Sequence, residues 1–171
     1  ADVVDSGFEI ARQVPGIGGW CVVDRLIEQR CSVANRVGDR VGSLVYPTYT
    51  DYWVTDPAHV QPIPEGVSFE VGCLYEPLGC AAWAAIHQGV KIGDTVAVNG
   101  VGFAGNIMLQ GAIKAGASLV IAVDVQANKL ETARRLGARY TLNAAEVDPV
   151  EAVNEITKGE GVDVAVEAVG G

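Results

Sequence analysis

Basic residues are scarce in this sequence, and their scarcity argues against one class of partner. The 171 residues include 12 Lys and Arg against 21 Asp and Glu, which gives a formal net charge of −9. A protein that binds nucleic acid needs a basic face to neutralise phosphates. We therefore expect no nucleic-acid partner.

Long apolar runs are also missing. No apolar run approaches the roughly 18 residues that a transmembrane helix needs, so we expect no membrane span. No signal-peptide pattern opens the sequence. Ala1 stands where a native chain would start with Met, and we therefore expect native sequence upstream.

Cysteine and histidine are too few and too scattered to suggest a metal site. The four cysteines form no CxxC pair, a spacing that disfavours a zinc or redox motif. We predict four buried thiols in a reducing compartment, the cytoplasm. The two histidines, His59 and His87, are interpreted as surface residues or as residues with satisfied hydrogen bonds. The cysteines are Cys21, Cys31, Cys73 and Cys80.

The predicted secondary structure changes near the middle of the sequence. Residues 1–90 are β-rich and irregular, with a strand followed by a proline-punctuated loop and then an Ala-rich helix. After Gly93, short apolar strands alternate with amphipathic helices, which predicts an α/β fold with a Rossmann-type parallel sheet covered by helices on both faces. The predicted strands are 95–99, 118–124, 140–143 and 162–169, and the predicted helices are 103–117, 128–137 and 148–159.

Three glycines follow the first of these strands, two before the first helix and one inside its first turn. Gly100 permits a tight turn, Gly102 leaves no side chain between the backbone and a ligand, and Gly105 permits close packing of the helix. The helix begins near Phe103 and Ala104, whose N–H groups and helix dipole favour a phosphate. The pattern predicts that these five residues bind the pyrophosphate of a dinucleotide.

An acidic residue, Asp124, closes the second strand. A carboxylate at that place can accept hydrogen bonds from both hydroxyls of an adenosine ribose, and it would repel the 2′-phosphate of NADP. Val125 and Gln126, rather than an arginine, directly follow it, so we expect nothing nearby to offset that repulsion and predict NAD. One alternative is a structural glycine turn followed by a surface aspartate. A methyltransferase is another, disfavoured because Asn99 replaces the acidic residue usual there.

Several segments together resemble the medium-chain dehydrogenase/reductases, specifically the zinc-type alcohol and polyol dehydrogenases. The resemblance runs from about Gly38 to Gly171 and implies part of a GroES-like catalytic domain (1–90) before part of a Rossmann domain (91–171). It implies an NAD(H)-dependent oxidoreductase with a small-molecule substrate, and a homo-oligomer as the full-length protein. The segments are "GDRV", "HVQPIPEGVSFEVG", "YEPLGCAAWAAI", "KIGDTVAVNGVGFAG", "VIAVDVQANKLETARRLGA" and "GVDVAVEAVGG".

The resemblance assigns two further residues and leaves the metal in doubt. Lys129 matches a lysine that contacts the ribose, and Glu76 matches an acid at the catalytic zinc. However, Ile17 and Gly18 stand where the family usually has His and Glu, and neither can bind a metal. The first cysteine ligand would lie upstream, and the four-cysteine lobe of a structural zinc is missing.

The predicted sheet has four of the six strands of a Rossmann domain, so we expect an internal fragment of a chain about twice as long. Two other functions remain open. One is a zinc-independent quinone or enoyl reductase of the same superfamily, and the other is a dinucleotide-binding protein without catalysis.

Overall fold

The structure, a computed structural model, describes residues 9–12, 22–23, 25–29, 38–43, 52–55 and 59–170. The chain divides into two units, Ala1–Pro77 and Leu78–Gly171. The ranges predicted for two functional domains, 1–90 and 91–171, stay predictions, because the compactness of a unit does not define its function.

The first unit contains short antiparallel strands in two three-stranded sheets, ordered β3-β1-β5 and β2-β4-β6. Val60–Pro62, predicted as part of a loop, is a strand, and Pro62 is tolerated because it lies in an edge strand. The strands are β1 (Glu9–Arg12), β2 (Val22–Val23), β3 (Arg25–Gln29), β4 (Val41–Ser43), β5 (Tyr52–Thr55) and β6 (Val60–Pro62).

Two helices precede the second sheet. The short helix α1 (Phe69–Gly72) is capped by the Ser68 hydroxyl, which accepts a hydrogen bond from the Val71 N–H. Helix α2 (Tyr75–His87) buries Ala81 and Ala85, which lie one turn apart on the same face.

The second unit contains a four-stranded parallel sheet in the order β10-β7-β8-β9. Numbered from the first strand of this unit and read from the β9 side, the order is 3-2-1-4, which matches the first four strands of the Rossmann order 3-2-1-4-5-6. The elements are β7 (Thr95–Asn99), α3 (Phe103–Ala115), β8 (Leu119–Asp124), α4 (Ala127–Arg135), β9 (Tyr140–Asn143), α5 (Pro149–Ile156) and β10 (Val164–Glu167). The predicted fold class is confirmed, and the predicted bounds of these elements differ from the observed ones by at most three residues.

The order of the strands explains why helices cover both faces. The chain moves from β7 through α3 to β8, and through α4 to β9, always in one direction across the sheet. It then crosses back through α5 to β10 on the other side of β7. Because parallel crossovers are right-handed, reversing the direction puts α5 on the face opposite α3 and α4.

The core of this unit lies between the central strands and their helices. Val96 and Val98 of β7 are fully buried, as are Leu109 and Ala112 of α3. Burying an apolar side chain of this size stabilises a fold by about 1.5–3 kcal/mol relative to exposing it. The buried apolar side chains of the strands therefore hold the sheet against its helices, and this packing determines where the carboxyl ends of the strands lie.

Local signals end the helices where the sequence predicts. The Asp148 carboxylate accepts hydrogen bonds from the N–H groups of Val150 and Glu151 and so caps α5. Gly137 follows α4 with a φ of 113°, a conformation that favours glycine. Glu131 and Arg135, four residues apart on α4, form an ion pair at 3.0 Å.

The prediction of buried cysteines is wrong for Cys80, which is exposed, and Cys73 is only half-buried. The exposure of Cys80 follows from its angular position around the axis of α2. Ala81 and Ala85 form the buried face of α2, so Cys80, one residue earlier, points about 100° away. Cys21 and Cys31 lie outside the described residues. Among the described residues, no helix combines the length and the apolar composition needed to cross a membrane.

Candidate functional site

Three polar residues end neighbouring strands on one edge of the sheet. Asn99 ends β7, Asp124 ends β8 and Glu167 ends β10, and β7 lies between the other two. In a parallel sheet all carboxyl ends meet at the same edge. The strand order reverses between β7 and β10, and open α/β sheets bind ligands in the crevice at such a reversal.

A cavity of about 320 Å³ lies at this edge. Its walls come from the turns that follow β7, β8 and β10, together with one residue after β9. The lining residues are Asn99, Gly100, Gly102, Asp124, Val125, Gln126, Lys129, Ala144, Ala168 and Val169.

The glycine turn forms the middle of the cavity, and each glycine meets a different constraint. Gly100 has a φ of 83°, and a Cβ there would lie 2.7 Å from the Val169 nitrogen. A Cβ on Gly105 would lie 1.8 Å from the Gly100 carbonyl oxygen, so the first turn of α3 packs directly on the glycine turn. Gly102 has nothing within 4 Å of its Cβ position, so a side chain there would occupy open space in the cavity. The turn therefore fits a ligand that approaches the backbone closely.

The amino end of α3 faces this turn. Its N-cap is Gly102, which has no side chain to satisfy the first N–H groups of the helix. The Asn106 side chain instead ties the helix to the turn, because its Nδ2 donates to the Val101 carbonyl oxygen at 2.8 Å. N–H groups left without partners at a helix N-terminus, with the positive end of the helix dipole, suit a phosphate.

Asp124 is not a surface residue, because only 8% of it is exposed. Its Oδ1 accepts a hydrogen bond from the Gln126 N–H at 2.9 Å, and its Oδ2 accepts one from the Val101 N–H at 3.1 Å. The carboxylate therefore links the turn after β8 to the glycine turn after β7. Asp124 is therefore not the surface aspartate that the structural alternative assumed.

Lys129 lies close to the same carboxylate. Its Nζ is 3.9 Å from the Asp124 Oδ2, and its side chain is 38% exposed. The prediction that nothing nearby offsets the negative charge of Asp124 is therefore wrong. Lys129 lies in the first turn of α4, shortly after Val125, and both residues line the cavity.

The structure brings together four of the predicted cofactor residues in this cavity: Gly100, Gly102, Asp124 and Lys129. Phe103, Ala104 and Gly105 are not among its lining residues, and Gly105 is buried behind the turn. Sequence reasoning did not identify the remaining lining residues. Five of the six lie within two residues after the end of a strand, and that position was the available signal. They are Asn99, Val125, Gln126, Ala144, Ala168 and Val169.

A zinc ion does not fit the described part of the chain. No three His, Cys, Asp or Glu residues lie close enough together there to hold a metal ion. Glu76, the predicted zinc residue, is half-buried on α2. Ile17 and Gly18 lie outside the described residues.

Neither histidine belongs to a metal cluster among the described residues. His59 is exposed. The His87 ring stacks on Trp83 with centroids 4.2 Å apart, and its Nδ1 lies 2.8 Å from the Trp83 carbonyl oxygen. Both observations agree with the predicted surface or hydrogen-bonded roles.

A second cavity, of about 370 Å³, lies beside α4 and β9. Arg134 in its wall is already bonded to Glu131 and Thr141. The glycine turn is not part of this cavity, and Glu131 and Glu146 in its wall would repel the negative charge of a pyrophosphate.

Comparisons with known proteins agree with this geometry. A family model described as a zinc-binding dehydrogenase matches residues 104–171. An alcohol dehydrogenase from Cupriavidus necator is 35% identical over 136 residues, which are 78% of this chain and 37% of that protein. A sorbitol dehydrogenase from Bacillus subtilis is 35% identical over 108 residues, which are 63% of this chain and 31% of that protein.

A solved structure shares the fold. The quinone oxidoreductase of Escherichia coli, crystallised with NADPH, matches 100% of this chain and 60% of its own with a TM-score of 0.78 and 21% identity. The chain spans about a third of the length of the two curated relatives above. The family match, the two relatives and the order of the sheet agree, and this chain belongs to the medium-chain, zinc-type dehydrogenase family.

Proposed function

We propose that the cavity at the carboxyl edge of the sheet binds NAD(H). We further propose that the chain belongs to an oxidoreductase that moves a hydride between NAD(H) and an alcohol or polyol, or the matching ketone or aldehyde. The observation that carries this proposal is the glycine turn. Gly102 leaves open space at the N-terminus of α3, and Asp124 is linked to the same turn through the Val101 N–H.

Each part of the cavity has a role in this proposal. The N–H groups at the start of α3 bind the pyrophosphate, and Asp124 accepts from the ribose hydroxyls beside Lys129. Val125 and Val169 are 60% and 64% exposed, and both line the cavity, so they offer apolar surfaces to a flat base. Bound nicotinamide would supply the hydride chemistry, while the protein binds and orients it.

Substrate and assembly follow from the family rather than from this cavity. We propose a small-molecule alcohol or polyol because the curated relatives include proteins named alcohol dehydrogenase and sorbitol dehydrogenase. A homo-oligomer in the cytoplasm remains part of the proposal. If the complete protein holds zinc, Glu76 is the described residue that we propose for its site.

A second candidate is a zinc-independent quinone reductase. The observation in its favour is the match of fold to the E. coli quinone oxidoreductase, which was crystallised with NADPH. Turnover of a polyol panel with NAD, compared with turnover of quinones with NADPH, separates the two candidates. A chain that binds the dinucleotide but turns over neither set is the non-catalytic binding protein.

The proposed binding is tested with ADP-ribose, which contains the adenosine and pyrophosphate parts of NAD. We expect measurable binding to wild type by calorimetry, and a loss of about tenfold or more in Gly102→Val, because the valine would fill the phosphate space. Gly102 has a φ of −73°, which valine can adopt, so the variant should stay folded. Normal binding by folded Gly102→Val would contradict the proposed site.

A further inference from the structure

We propose that Glu167 and Asn99 form a positioning pair that fixes the Ala168–Val169 turn as one wall of the nucleotide cavity. This inference rests on the proposed function, because it assigns residues to the same cavity. Neither residue is one of the three glycines, and neither is Asp124.

The pair lies at the end of the register between β7 and β10. Asn99 is directly opposite Glu167, at the last paired position of the two strands. The Asn99 Nδ2 donates to the Glu167 Oε2 at 2.5 Å, and the Ala168 N–H donates to the Asn99 carbonyl oxygen at 2.8 Å. Asn99 therefore holds both the side chain of Glu167 and the backbone that follows it.

The second oxygen of Glu167 holds the next peptide. Its Oε1 accepts a hydrogen bond from the Val169 N–H at 2.7 Å. One carboxylate thus receives a donor from β7 through one oxygen and a donor from its own turn through the other. Only a group that accepts at both oxygens can do this, and an ionised carboxylate is such a group.

The turn held in this way is packed on the glycine turn. A Cβ on Gly100 would lie 2.7 Å from the Val169 nitrogen and 2.8 Å from the Ala168 carbonyl carbon. Ala168, Val169 and Gly100 all line the cavity. A shift of the Ala168–Val169 turn would therefore move a wall that the base must contact and would loosen the support of the glycine turn.

A matching tie at the other end of the same strands provides a control. The Asp163 Oδ2 accepts from the Thr95 N–H at 2.7 Å and from the Thr95 hydroxyl at 2.8 Å, where β7 begins. This tie also joins β10 to β7, but it lies at the amino edge, remote from the cavity. If Glu167 only held the two strands together, substituting it would affect ligand binding no more than substituting Asp163.

The experiment measures the affinity of AMP and of ADP-ribose for four forms of the chain. These are wild type, Glu167→Gln, Glu167→Gln combined with Asn99→Asp, and Asp163→Asn. Glutamine at position 167 has one accepting oxygen for two donors, so we expect AMP to bind about fivefold or more weakly, the size of a lost hydrogen bond.

The double variant reverses the pair without changing the net charge. The new amide can donate to the new carboxylate at position 99, while its oxygen accepts from the Val169 N–H. We expect its affinity to return to within about twofold of wild type. Asp163→Asn should lower the melting temperature yet keep the AMP affinity within about twofold, because it leaves the cavity walls in place.

The outcomes are distinct. A positioning role is overturned if folded Glu167→Gln binds both ligands like wild type, if the double variant binds no better than Glu167→Gln, or if Asp163→Asn weakens AMP equally. If Glu167→Gln does not fold, the double variant decides, because the inference requires it to fold and to bind. If wild type binds neither ligand, the proposed function is wrong and this inference falls with it.

Discussion

Gly100, Gly102 and Gly105 are the same residue type, but each meets a different physical constraint. Gly100 needs a left-handed backbone beside the Val169 peptide, and Gly105 needs direct contact with the Gly100 carbonyl oxygen. Gly102 needs neither, since its φ is −73° and its Cβ position is open. Substitutions should therefore separate a structural glycine from a ligand-binding one.

Gly105→Ala should destabilise the chain strongly, because the new Cβ would lie 1.8 Å from a backbone oxygen that cannot move aside. We expect a loss of about 3 kcal/mol in the free energy of unfolding, the upper range for overpacking. Gly102→Ala is the matched control, expected to change it by less than about 1 kcal/mol. Denaturant unfolding measures both, and similar losses for the two variants would contradict the assignment.

Asp124 and Lys129 together should set the choice between NAD and NADP. Two unit charges 4 Å apart repel by about 4 kcal/mol at an effective dielectric of 20, and the nearby ammonium offsets part of this. We expect NAD to be preferred by about tenfold, or roughly 1.4 kcal/mol. Lys129→Met should raise this preference, and Asp124→Asn should lower it.

Competition binding with NAD and NADP measures these ratios. Asp124→Asn keeps one accepting oxygen for the backbone N–H groups that Asp124 binds, so it should disturb the loop little. The double variant Asp124→Ser with Val125→Arg should disturb the loop more, but it should also shift the preference further toward NADP. Equal affinity of wild type for the two cofactors would refute a role of Asp124 in selection.

At the scale of elements, β7 and β10 are neighbours in space but distant in sequence, and side chains tie them at both ends. Thr95 meets Asp163 at the amino end, and Asn99 meets Glu167 at the carboxyl end. The first tie is remote from the cavity and should act on stability. The second borders the cavity and should act on binding.

The tie at Asp163 predicts a pH dependence. Hydrogen bonds from the Thr95 N–H and then the Thr95 hydroxyl lower the pKa of the Asp163 carboxyl below its ordinary value. A lowered folded-state pKa stabilises the fold above the unfolded pKa of about 3.9, and this stability is lost as the pH falls through the folded pKa. Asp163→Asn should therefore melt below wild type at pH 7, and the difference should shrink below about pH 4.

Thermal melts of both forms between pH 7 and pH 3 measure that difference directly. Other carboxyls titrate in both proteins, so subtracting one curve from the other isolates Asp163. A difference that stays constant over the whole range would contradict the assigned role of the carboxylate.

At the scale of the whole molecule, the proposed ligand contacts the turns of three strands and should stabilise the unit that contains them, Leu78–Gly171. A ligand that binds the folded state alone, at about 100 times its Kd, adds about 2.7 kcal/mol to the free energy of unfolding. NAD should therefore raise the melting temperature of wild type. The Gly102→Val variant should show little of this rise, and an equal rise in both would place the ligand elsewhere.

The sequence by itself determined the features that depend on neighbours along the chain. Alternating apolar strands and amphipathic helices predict the parallel sheet, and glycines between β7 and α3 predict the turn. Asp148 and Gly137 mark helix ends because capping and left-handed turns are local interactions. The predicted elements after Gly93 were accordingly confirmed to within a few residues.

Only the tertiary structure decided which distant residues meet. Glu167 reaches Asn99 across 68 positions, and the Asp124 carboxylate, 23 positions beyond Val101, accepts the N–H of that residue. The exposure of Cys80 likewise depends on which face of α2 is buried. Strand order and the rotation of each helix set these contacts, and both follow from how the elements pack, which no local pattern encodes.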